Sequence, residues 1–301
     1  MDYELTLFDR VEHIKTTNRL YDLENNAYLS FSGGKDSTIL HRLLDIALPN
    51  NRIPRVFINT GIEYQMIVDF VKGLASKDDR FIILQPSTPI KPMLEKVGYP
   101  FKSKEHSLYV EQYQKNGMSK TVQRYLNPSE NRKDYGCPQL LKYQFTKDFQ
   151  IKISNKCCFE LKKKPIHEWQ KQSHRTITLT GMRKSEGGNR KNISGCVLTD
   201  NKGKLIKYHP LLVVDDEWEN EFVERERIAL CPLYCQPFNF KRSGCCGCPY
   251  NLNLQDDLEL IEKLLPNERR KAEIIWKPIY QEYRRLNYRL KKVEQIKLLE
   301  E

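Results

Sequence analysis

One short segment near the N-terminus carries the residue types that bind phosphate in proteins. Its sequence, SGGKDST, directly follows an apolar run, AYLSF at residues 27–31, that predicts a β-strand. Adjacent glycines let backbone N–H groups turn towards an anion, and a helix N-terminus behind them adds its dipole and further donors. Hydroxyl groups and one ammonium group complete the set. We therefore predict a phosphate-binding loop formed by Ser32, Gly33, Gly34, Lys35, Asp36, Ser37 and Thr38.

The cysteines are a second group of residues that could do chemistry. There are nine, and none lies before Cys137. The N-terminus has no basic start followed by an apolar core, so we expect no secretory signal and a reducing, cytoplasmic location. Metal binding or thiol chemistry is then favoured over disulfide bonds. One spacing, Cys231-x3-Cys235 followed by Cys245-x2-Cys248, is similar to that of a zinc (Zn2+) ribbon.

Alternating strand and helix patterns must position these residues. Strands are predicted at residues 27–31, 55–59 and 80–84, with amphipathic helices between them, and a later strand at 176–180. This order is typical of a parallel sheet covered by helices. The predicted fold class is therefore α/β, with helices on both faces of the sheet.

The same patterns suggest how the chain is divided. We predict an N-terminal helix over residues 1–24, an α/β domain over 25–212 and a Cys-rich, basic helical region over 213–301. Residues 85–175 are polar and contain several prolines, so we predict loops and short helices inserted over the sheet. From Glu268 to about Leu299 we predict a long basic helix, or a helix pair, broken near Pro278.

The charge of the chain favours anionic partners. Lys and Arg outnumber Asp and Glu by 50 to 39, a net charge of +11 that suits nucleotides or nucleic acid. No run approaches the ~18 apolar residues of a membrane helix, so we expect no membrane partner. Basic residues interleaved with aromatic rings near the C-terminus suit a nucleic-acid surface, although a solvated amphipathic helix is the alternative. These residues are Arg284, Arg285, Arg289, Lys291, Lys292, Tyr280, Tyr283 and Tyr288.

Four segments together resemble the phosphoadenosine phosphosulfate (PAPS) reductase-like family of the adenine nucleotide alpha-hydrolase-like, or PP-loop, superfamily. They are SGGKDST at residues 32–38, NTGIEY at 59–64, GMRKSE at 181–186 continuing to Arg190, and HPLL at 209–212. The resemblance implies a Rossmann-like sheet whose loop holds the phosphates of PAPS, adenosine phosphosulfate (APS) or ATP, with Mg2+ as a companion of the nucleotide. It implies catalytic roles for Lys35, Asp36 and Arg183. It adds to the nucleotide-binding loop the residues Asn59, Thr60, Gly61, Arg183 and Arg190.

The cysteines extend this resemblance. The tandem pair Cys157-Cys158 and the GCCGCP segment resemble the cysteine set of APS reductases, which implies an iron–sulfur cluster. The ligands of this [4Fe–4S] cluster are implied to be Cys157, Cys158, Cys245 and Cys248. A Zn2+ site in the 231–248 region and a set of buried, reduced cysteines are the two alternatives.

Two reactions are open to an enzyme of this kind. One is the reduction of PAPS or APS, with a thiol or electron-donor protein as partner. The other is the ATP-dependent activation of an acceptor, including nucleic acid, for sulfur transfer with release of pyrophosphate. Reductases of the family use a cysteine near the C-terminus, whereas no cysteine follows Cys248 here, and Asn59 stands where the family has an acid. A non-catalytic nucleic-acid-binding protein with a structural zinc is the third hypothesis.

Overall fold

The chain forms two units, each assembled from separate segments. The computed structural model describes residues 2–241 and 243–292, apart from the side chains of residues 132–134. The predicted boundaries at residues 24/25 and 212/213 do not coincide with the division into units. Residues 213–243 fold with the first unit, and most of the predicted insertion at 85–175 folds with the second. Unit 1 consists of Met1–Asn59, Glu63–Gln85 and Pro165–Ser243, and unit 2 of Thr60–Ile62, Pro86–Lys164 and Gly244–Glu301.

A six-stranded sheet lies in unit 1. Its strands are β1 (Ala27–Ser30), β2 (Arg55–Ile58), β3 (Phe81–Leu84), β4 (Ile177–Leu179), β5 (Val197–Thr199) and β6 (Leu205–Tyr208). They lie in the order β3-β2-β1-β4-β6-β5, and all neighbours are parallel except the antiparallel β5–β6 pair. The predicted α/β class with a Rossmann-like, mostly parallel sheet is confirmed.

The sheet has a switch point between β1 and β4. From β1 the chain proceeds through β2 to β3 on one side, and β4 then pairs with the other side of β1. At such a point the connections after the two strands diverge and leave a crevice at their carboxyl ends, where open α/β sheets bind ligands. The topology therefore places any ligand beside the segments that follow β1 and β4.

The helices are distributed over both units. None in the described part of the chain is long and apolar enough to span a membrane. They are α1 (Tyr3–Tyr21), α2 (Leu23–Asn26), α3 (Lys35–Ala47), α4 (Gln65–Ala75), α5 (Ile90–Val97), α6 (Lys104–Asn116), α7 (Lys120–Leu126), α8 (Lys164–Ser173), α9 (Asp216–Arg225), α10 (Leu254–Leu264) and α11 (Pro266–Arg285).

The helix α6 shows why residues 85–175 resist interpretation from sequence. Its 13 residues include few apolar ones, but polar side chains occupy its buried face. His106 lies at the centre of this face, where its imidazole hydrogen bonds with the Tyr125 hydroxyl at 2.9 Å and with Gln144 Oε1 at 2.7 Å. Burial lowers the pKa of His106 to about 4, so the ring is neutral at pH 7. A hydrophobic pattern cannot reveal a helix that packs through hydrogen-bonded polar groups.

The helix α11 corrects two features of the predicted C-terminal helix. It continues through Pro278 without a break, although a proline removes one backbone hydrogen bond. Residues around the proline are buried and hold the helix against the rest of unit 2. They are Ile275, Trp276, Ile279 and Tyr280. The helix ends at Arg285 and residues 286–292 form turns or irregular structure, while residues 293–299 of the prediction lie outside the described residues.

A buried charge network anchors β2 in unit 1. The Arg55 side chain is fully buried and donates to Asn51 Oδ1 and to Asp45 Oδ1, both at 2.7 Å, and to His41 Nδ1 at 3.0 Å. Asp45 also binds Arg80 at 2.8 Å. Burial, aided by the charge of Arg55, lowers the pKa of His41 to about 4, which keeps the imidazole a neutral acceptor at pH 7.

We expect Arg55→Met to reduce the free energy of unfolding by roughly 3 kcal/mol, because it removes the partner of the buried Asn51 and of the largely buried Asp45 and His41. Arg52→Met is the matched control, since Arg52 and its partner Asp79 are 72% and 70% exposed. The control is expected to change stability by less than about 0.5 kcal/mol. Urea unfolding measures both variants. Equal midpoints for the two would contradict the role assigned to the network.

Candidate functional site

The predicted phosphate loop connects β1 to α3 at the carboxyl edge of the sheet. Gly33 has a φ of 72°, and an added Cβ there would lie 2.8 Å from the Ile67 side chain, so only glycine fits. The buried Ser37 and Thr38 hydroxyls each donate to the Gly34 carbonyl oxygen at 2.9 Å. These hydroxyls therefore shape the loop from within, whereas the first N–H groups of α3 find no partner inside the helix.

A cavity of about 990 Å³ opens over this loop within unit 1. Several of the residues predicted to bind nucleotide line it together. From the loop these are Ser32, Gly34, Lys35 and Asp36, and from the segment after β4 they are Arg183 and Arg190. The structure thus brings the two main predicted motifs to the switch point of the sheet.

Gly181 makes this assembly possible. It follows β4 and lies against the backbone of the phosphate loop, so that an added Cβ would lie 2.7 Å from the Asp36 carbonyl oxygen. Since the obstructing atoms belong to backbone, they cannot move aside as a flexible side chain would. The close approach places the Arg183 Nε 3.2 Å from Asp36 Oδ1.

Arg183 lies at the centre of an ion cluster beside the cavity. Its side chain is 8% exposed, and its Nε also lies 3.0 Å from Glu219 Oε1, while its Nη1 lies 2.5 Å from Asp216 Oδ1. Burial alone would lower the pKa of Arg183, but the charges of Glu219, Asp216 and Asp36 outweigh it and raise the pKa. The guanidinium is consequently cationic and fixed in orientation by three carboxylates from two helices, α3 and α9.

The helix α9 contributes residues that the sequence analysis did not single out. The Lys35 Nζ donates to Asn220 Oδ1 at 2.8 Å and lies 3.6 Å from Glu219 Oε2. Asp215 caps the N-terminus of the helix, and its side chain accepts the Trp218 N–H at 2.8 Å. The sequence feature that could have indicated these residues is the acidic helix start that follows the HPLL segment. The HPLL segment lies beside the Arg183 segment, because the Lys184 N–H donates to the Leu212 carbonyl at 2.9 Å.

The predicted residues after β2 have a different placement. The Asn59 N–H donates to the Leu84 carbonyl at 2.9 Å and continues the β2–β3 ladder. Thr60 is buried and Gly61 has a φ of 84°, and both belong to unit 2. None of the three is among the described residues that line the cavity.

Unit 2 brings together the four cysteines expected to bind a cluster. The thiols of Cys157 and Cys158 are hydrogen-bond partners. This hydrogen bond, burial and the nearby Cys245 and Cys248 raise the pKa of Cys157. The hydrogen bond with Cys157 and the positive charges of three lysines lower the pKa of Cys158 to about 6, although burial opposes the shift. The lysines are Lys104, Lys162 and Lys163.

The helix α11 holds the cysteine turn in place. Gly247 has a φ of 61°, and an added Cβ would lie 2.7 Å from the Ala272 Cβ. Three aromatic side chains donate to carbonyl oxygens of the turn or of the proline that follows it. They are Trp276, which bonds to Cys246 at 3.0 Å, Tyr280, which bonds to Gly247, and Tyr283, which bonds to Pro249 at 2.9 Å.

These contacts correct the predicted role of two tyrosines. Tyr280 and Tyr283 are fully buried, so their rings cannot stack on a base. The sequence did not reveal this, because the same aromatic spacing serves a helix that packs inward. Arg284 and Arg285 are ion-paired with Glu273 and Glu282, which reduces the positive charge offered to a polyanion. These pairs are within unit 2.

The donor set fits an iron–sulfur cluster in its chemistry. Four cysteine thiolates are the usual ligands of a [4Fe–4S] cluster, and each binds a different iron, so they surround a group larger than one ion. Among the described residues, no three His, Cys, Asp or Glu side chains are arranged to hold a single metal ion. Of the alternative zinc set, Cys231 lies in unit 1 and donates to the Met66 carbonyl at 3.4 Å, and Cys235 is exposed.

Comparison with known proteins decides the family. The family model described as phosphoadenosine phosphosulfate reductase domain matches residues 26–127 and 110–251, which together are more than half of the chain. The chain belongs to this family. The phosphate loop, the Gly181 contact and the cysteine turn described above are therefore features of a PAPS reductase-like protein.

Individual relatives are more distant. An uncharacterised protein of Methanocaldococcus jannaschii is 32% identical over 110 residues, which are 34% of this chain and 26% of that protein. This chain therefore matches about a quarter of the length of its curated relative. Two solved structures are similar with TM-scores below 0.5, a level that does not bear on the reaction.

The first is PAPS reductase from Candida auris in a phosphate complex, with a TM-score of 0.44, 15% identity and coverage of 78% of this chain and 93% of that chain. The second is the U34-tRNA thiolase NcsA from Methanococcus maripaludis with its [4Fe-4S] cluster. Its TM-score is 0.39 at 15% identity, and the match covers 92% of this chain and 80% of that chain.

In this PAPS reductase-like protein we expect Gly181→Ala to weaken nucleotide binding at least about tenfold, or about 1.4 kcal/mol, because the methyl group displaces the loop backbone at Asp36. Gly195→Ala is the control, since an added Cβ at Gly195 meets nothing within 4 Å. Calorimetric titration with ATP gives both affinities, and unfolding curves establish that both variants are folded. Wild-type affinity in Gly181→Ala would contradict the importance of this contact.

Proposed function

We propose that this protein is an ATP-dependent sulfur-transfer enzyme that activates an acceptor by adenylylation and carries a [4Fe–4S] cluster. The observation that carries the proposal is the cavity over the phosphate loop, whose described lining residues offer cations, hydroxyls and carboxylates but no thiol. Reduction of PAPS or APS requires a thiolate that attacks sulfur. Attack on phosphorus requires positive charge and N–H donors around the phosphates, which this cavity provides.

The proposed reaction breaks one phosphoanhydride bond. A nucleophilic oxygen of the acceptor attacks the α-phosphorus of ATP, a new P–O bond forms, and the bond to the bridging oxygen breaks with its electron pair on pyrophosphate. The acceptor proton passes to solvent. A hydrosulfide-level sulfur nucleophile then attacks the activated carbon, a C–S bond forms and the C–O bond breaks with its electron pair on AMP, so no external oxidant or reductant is needed.

The residues of the cavity have distinct roles in this scheme. The N-terminus of α3 and the Lys35 ammonium bind the phosphates, and Arg183 opposes the negative charge that develops on pyrophosphate. Asp36 orients Arg183 through its 3.2 Å contact. Apolar lining residues suit an adenine ring, and they are Val223, Leu230 and Phe240. Mg2+ accompanies the triphosphate, as is general for ATP.

The four thiols of unit 2 are the proposed cluster ligands. Cys157 and Cys158 begin one helical segment, and Cys245 and Cys248 lie on the turn that α11 holds in shape. The neighbouring lysines offset negative charge at this site and favour the deprotonated form of Cys158. When bound, the cluster supplies iron at which a sulfur ligand can be held.

Nucleic acid is the proposed class of acceptor. A net charge of +11 favours association with a polyanion, and its effect decreases with salt. The exposed Lys291 and Lys292 are part of this surplus. A thiol or electron-donor protein is instead the partner expected of a reductase, and the cytoplasm is the proposed location of either reaction.

We expect the anaerobically purified protein to be brown, to absorb near about 400 nm and to contain roughly four irons per chain. Cys158→Ser and Cys245→Ser are expected to lose most of the iron, because each removes one thiolate ligand. Cys137→Ser is the control: it removes a buried thiol of unit 2 that is outside the proposed set. Iron and sulfide analysis measures the outcome. A colourless wild-type protein with one zinc would refute the cluster and favour the zinc hypothesis.

We expect pyrophosphate release from ATP in the presence of nucleic acid, and no sulfite release from PAPS or APS. Lys35→Ala is expected to lower kcat/KM at least about a hundredfold, since it removes the ammonium from the phosphate cavity. Lys202→Ala, in the turn between β5 and β6, is expected to retain activity. Sulfite from PAPS would identify a reductase instead, and salt-dependent binding of nucleic acid without turnover of any nucleotide would identify a binding protein.

A further inference from the structure

A buried carboxylate behind the phosphate cavity has no part in the scheme above. Glu219 projects from α9, and its side chain is completely inaccessible to solvent. Trp218 anchors the helix to α1, since its indole N–H donates to the Tyr3 carbonyl at 3.2 Å and its ring stacks on the Tyr3 ring at 5.7 Å. Glu219 follows Trp218 directly, so it lies on a turn of the helix that is held in place.

The two oxygens of Glu219 face the cations of the cavity. Arg183 Nε lies 3.0 Å from Oε1, and Lys35 Nζ lies 3.6 Å from Oε2. Neither oxygen accepts a hydrogen bond of good geometry from any residue that the structure describes. An ionised carboxylate in such a place loses its hydration and gains only imperfect ion pairs, which is costly.

Glu219 also determines the net charge around the cavity. Among the described residues that line it, cations and carboxylates are equal in number, so an ionised Glu219 makes the surroundings negative. A polyphosphate is repelled by that charge, and Lys35 and Arg183 remain occupied by the carboxylate. The lining groups are the cations Lys35, Arg183, Arg190 and Lys241 and the carboxylates Asp36, Glu186, Asp216 and Glu224.

Of the carboxylates close to Arg183, Glu219 is the most deeply buried. Asp36 and Asp216 are 30% and 75% exposed, so water solvates their charge. Burial, followed by the negative charge of Asp36, raises the pKa of Glu219 to about 8, against the lowering effects of Arg183 and Lys35. On the other side of α9, α1 contributes Tyr3 and Glu4, which contact Trp218 and Arg225 instead.

We propose that Glu219 has to be protonated when a polyphosphate occupies the loop, so that nucleotide binding is linked to one proton. A neutral Glu219 releases Lys35 and Arg183 to the phosphates and removes the repulsion from behind. Glu219 is then a positioning residue that couples the site to pH. This inference rests on the proposed function, since it assumes that the cavity binds a nucleotide.

The sign of the pH dependence follows from the two states. A bound polyphosphate adds negative charge and withdraws the cations, so the pKa of Glu219 is higher in the complex than the value of about 8 in the free protein. The linkage therefore favours binding fully below about pH 8, where Glu219 is protonated in both states. As the pH rises above 8, affinity falls up to about tenfold per pH unit.

Calorimetric titration of the full chain with ATP between pH 7 and pH 9.5, in buffers of different ionisation enthalpy, tests this inference. The phosphate groups of ATP are already ionised in this range, because their last pKa lies near 6. Wild type is expected to show constant affinity to about pH 7.5, a decline above pH 8 and uptake of up to one proton near pH 9. Glu219→Gln keeps the shape of the side chain but cannot titrate, so its affinity is expected to be constant with no proton uptake.

Glu221→Gln is the matched control on the same helix. Glu221 is 41% exposed and pairs with Arg225, so the variant is expected to follow the wild-type profile. Identical profiles for wild type and Glu219→Gln, or ATP binding by wild type without proton uptake, would overturn the proton linkage alone. Failure of wild type to bind ATP at any pH would overturn the nucleotide site and the linkage together. If Glu219→Gln does not fold, the proton count of wild type decides.

Discussion

The ion cluster around Arg183 is the interaction on which the phosphate site depends. Its guanidinium joins Asp36 at the start of α3 to Asp216 and Glu219 on α9, and so ties together three segments that are distant in sequence. The glycine at 181 permits this arrangement, because any Cβ there would meet the Asp36 backbone. In the ligand-free protein the cation that should meet a phosphate is thus already bound by carboxylates. In the proposed function such a site exchanges carboxylate for phosphate, and the proposed protonation of Glu219 sets how strongly it binds.

The second unit follows a different physical principle. The turn of residues 245–248 presents its carbonyl oxygens inward, where Trp276 and Tyr280 of α11 donate hydrogen bonds to them. Buried carbonyl groups of a tight turn need such donors, since no water reaches them. The aromatic residues of α11 therefore serve to shape the cysteine turn, and a preformed turn lowers the entropy cost of binding a metal centre. Shaping the cysteine turn is compatible with a role in sulfur chemistry. Because Tyr280 and Tyr283 are buried for this purpose, neither ring is available to stack on a base.

Much of the fold could be predicted from sequence, because strands and loop motifs have local signatures. The apolar runs at 27–31, 55–59 and 80–84 and the SGGKDST loop were recognisable from adjacent residues alone. The failures share one cause. α6 packs through His106 and other polar groups, and α11 keeps its helix through Pro278 because its neighbours are buried. In both cases distant contacts outweigh the local propensity that a sequence pattern reports.

The sequence by itself determined the family, the α/β class, the phosphate loop and the cysteine pairs, since each depends on residue type and short spacing. Only the tertiary structure decided which charges meet at the loop and what the aromatic residues of α11 do. In the sequence, Glu219 is one of several acids at the start of a helix. In the structure, α9 buries it beside Lys35 and Arg183. Its importance lies in desolvation and in the charges around it, and neither quantity exists before the chain has folded.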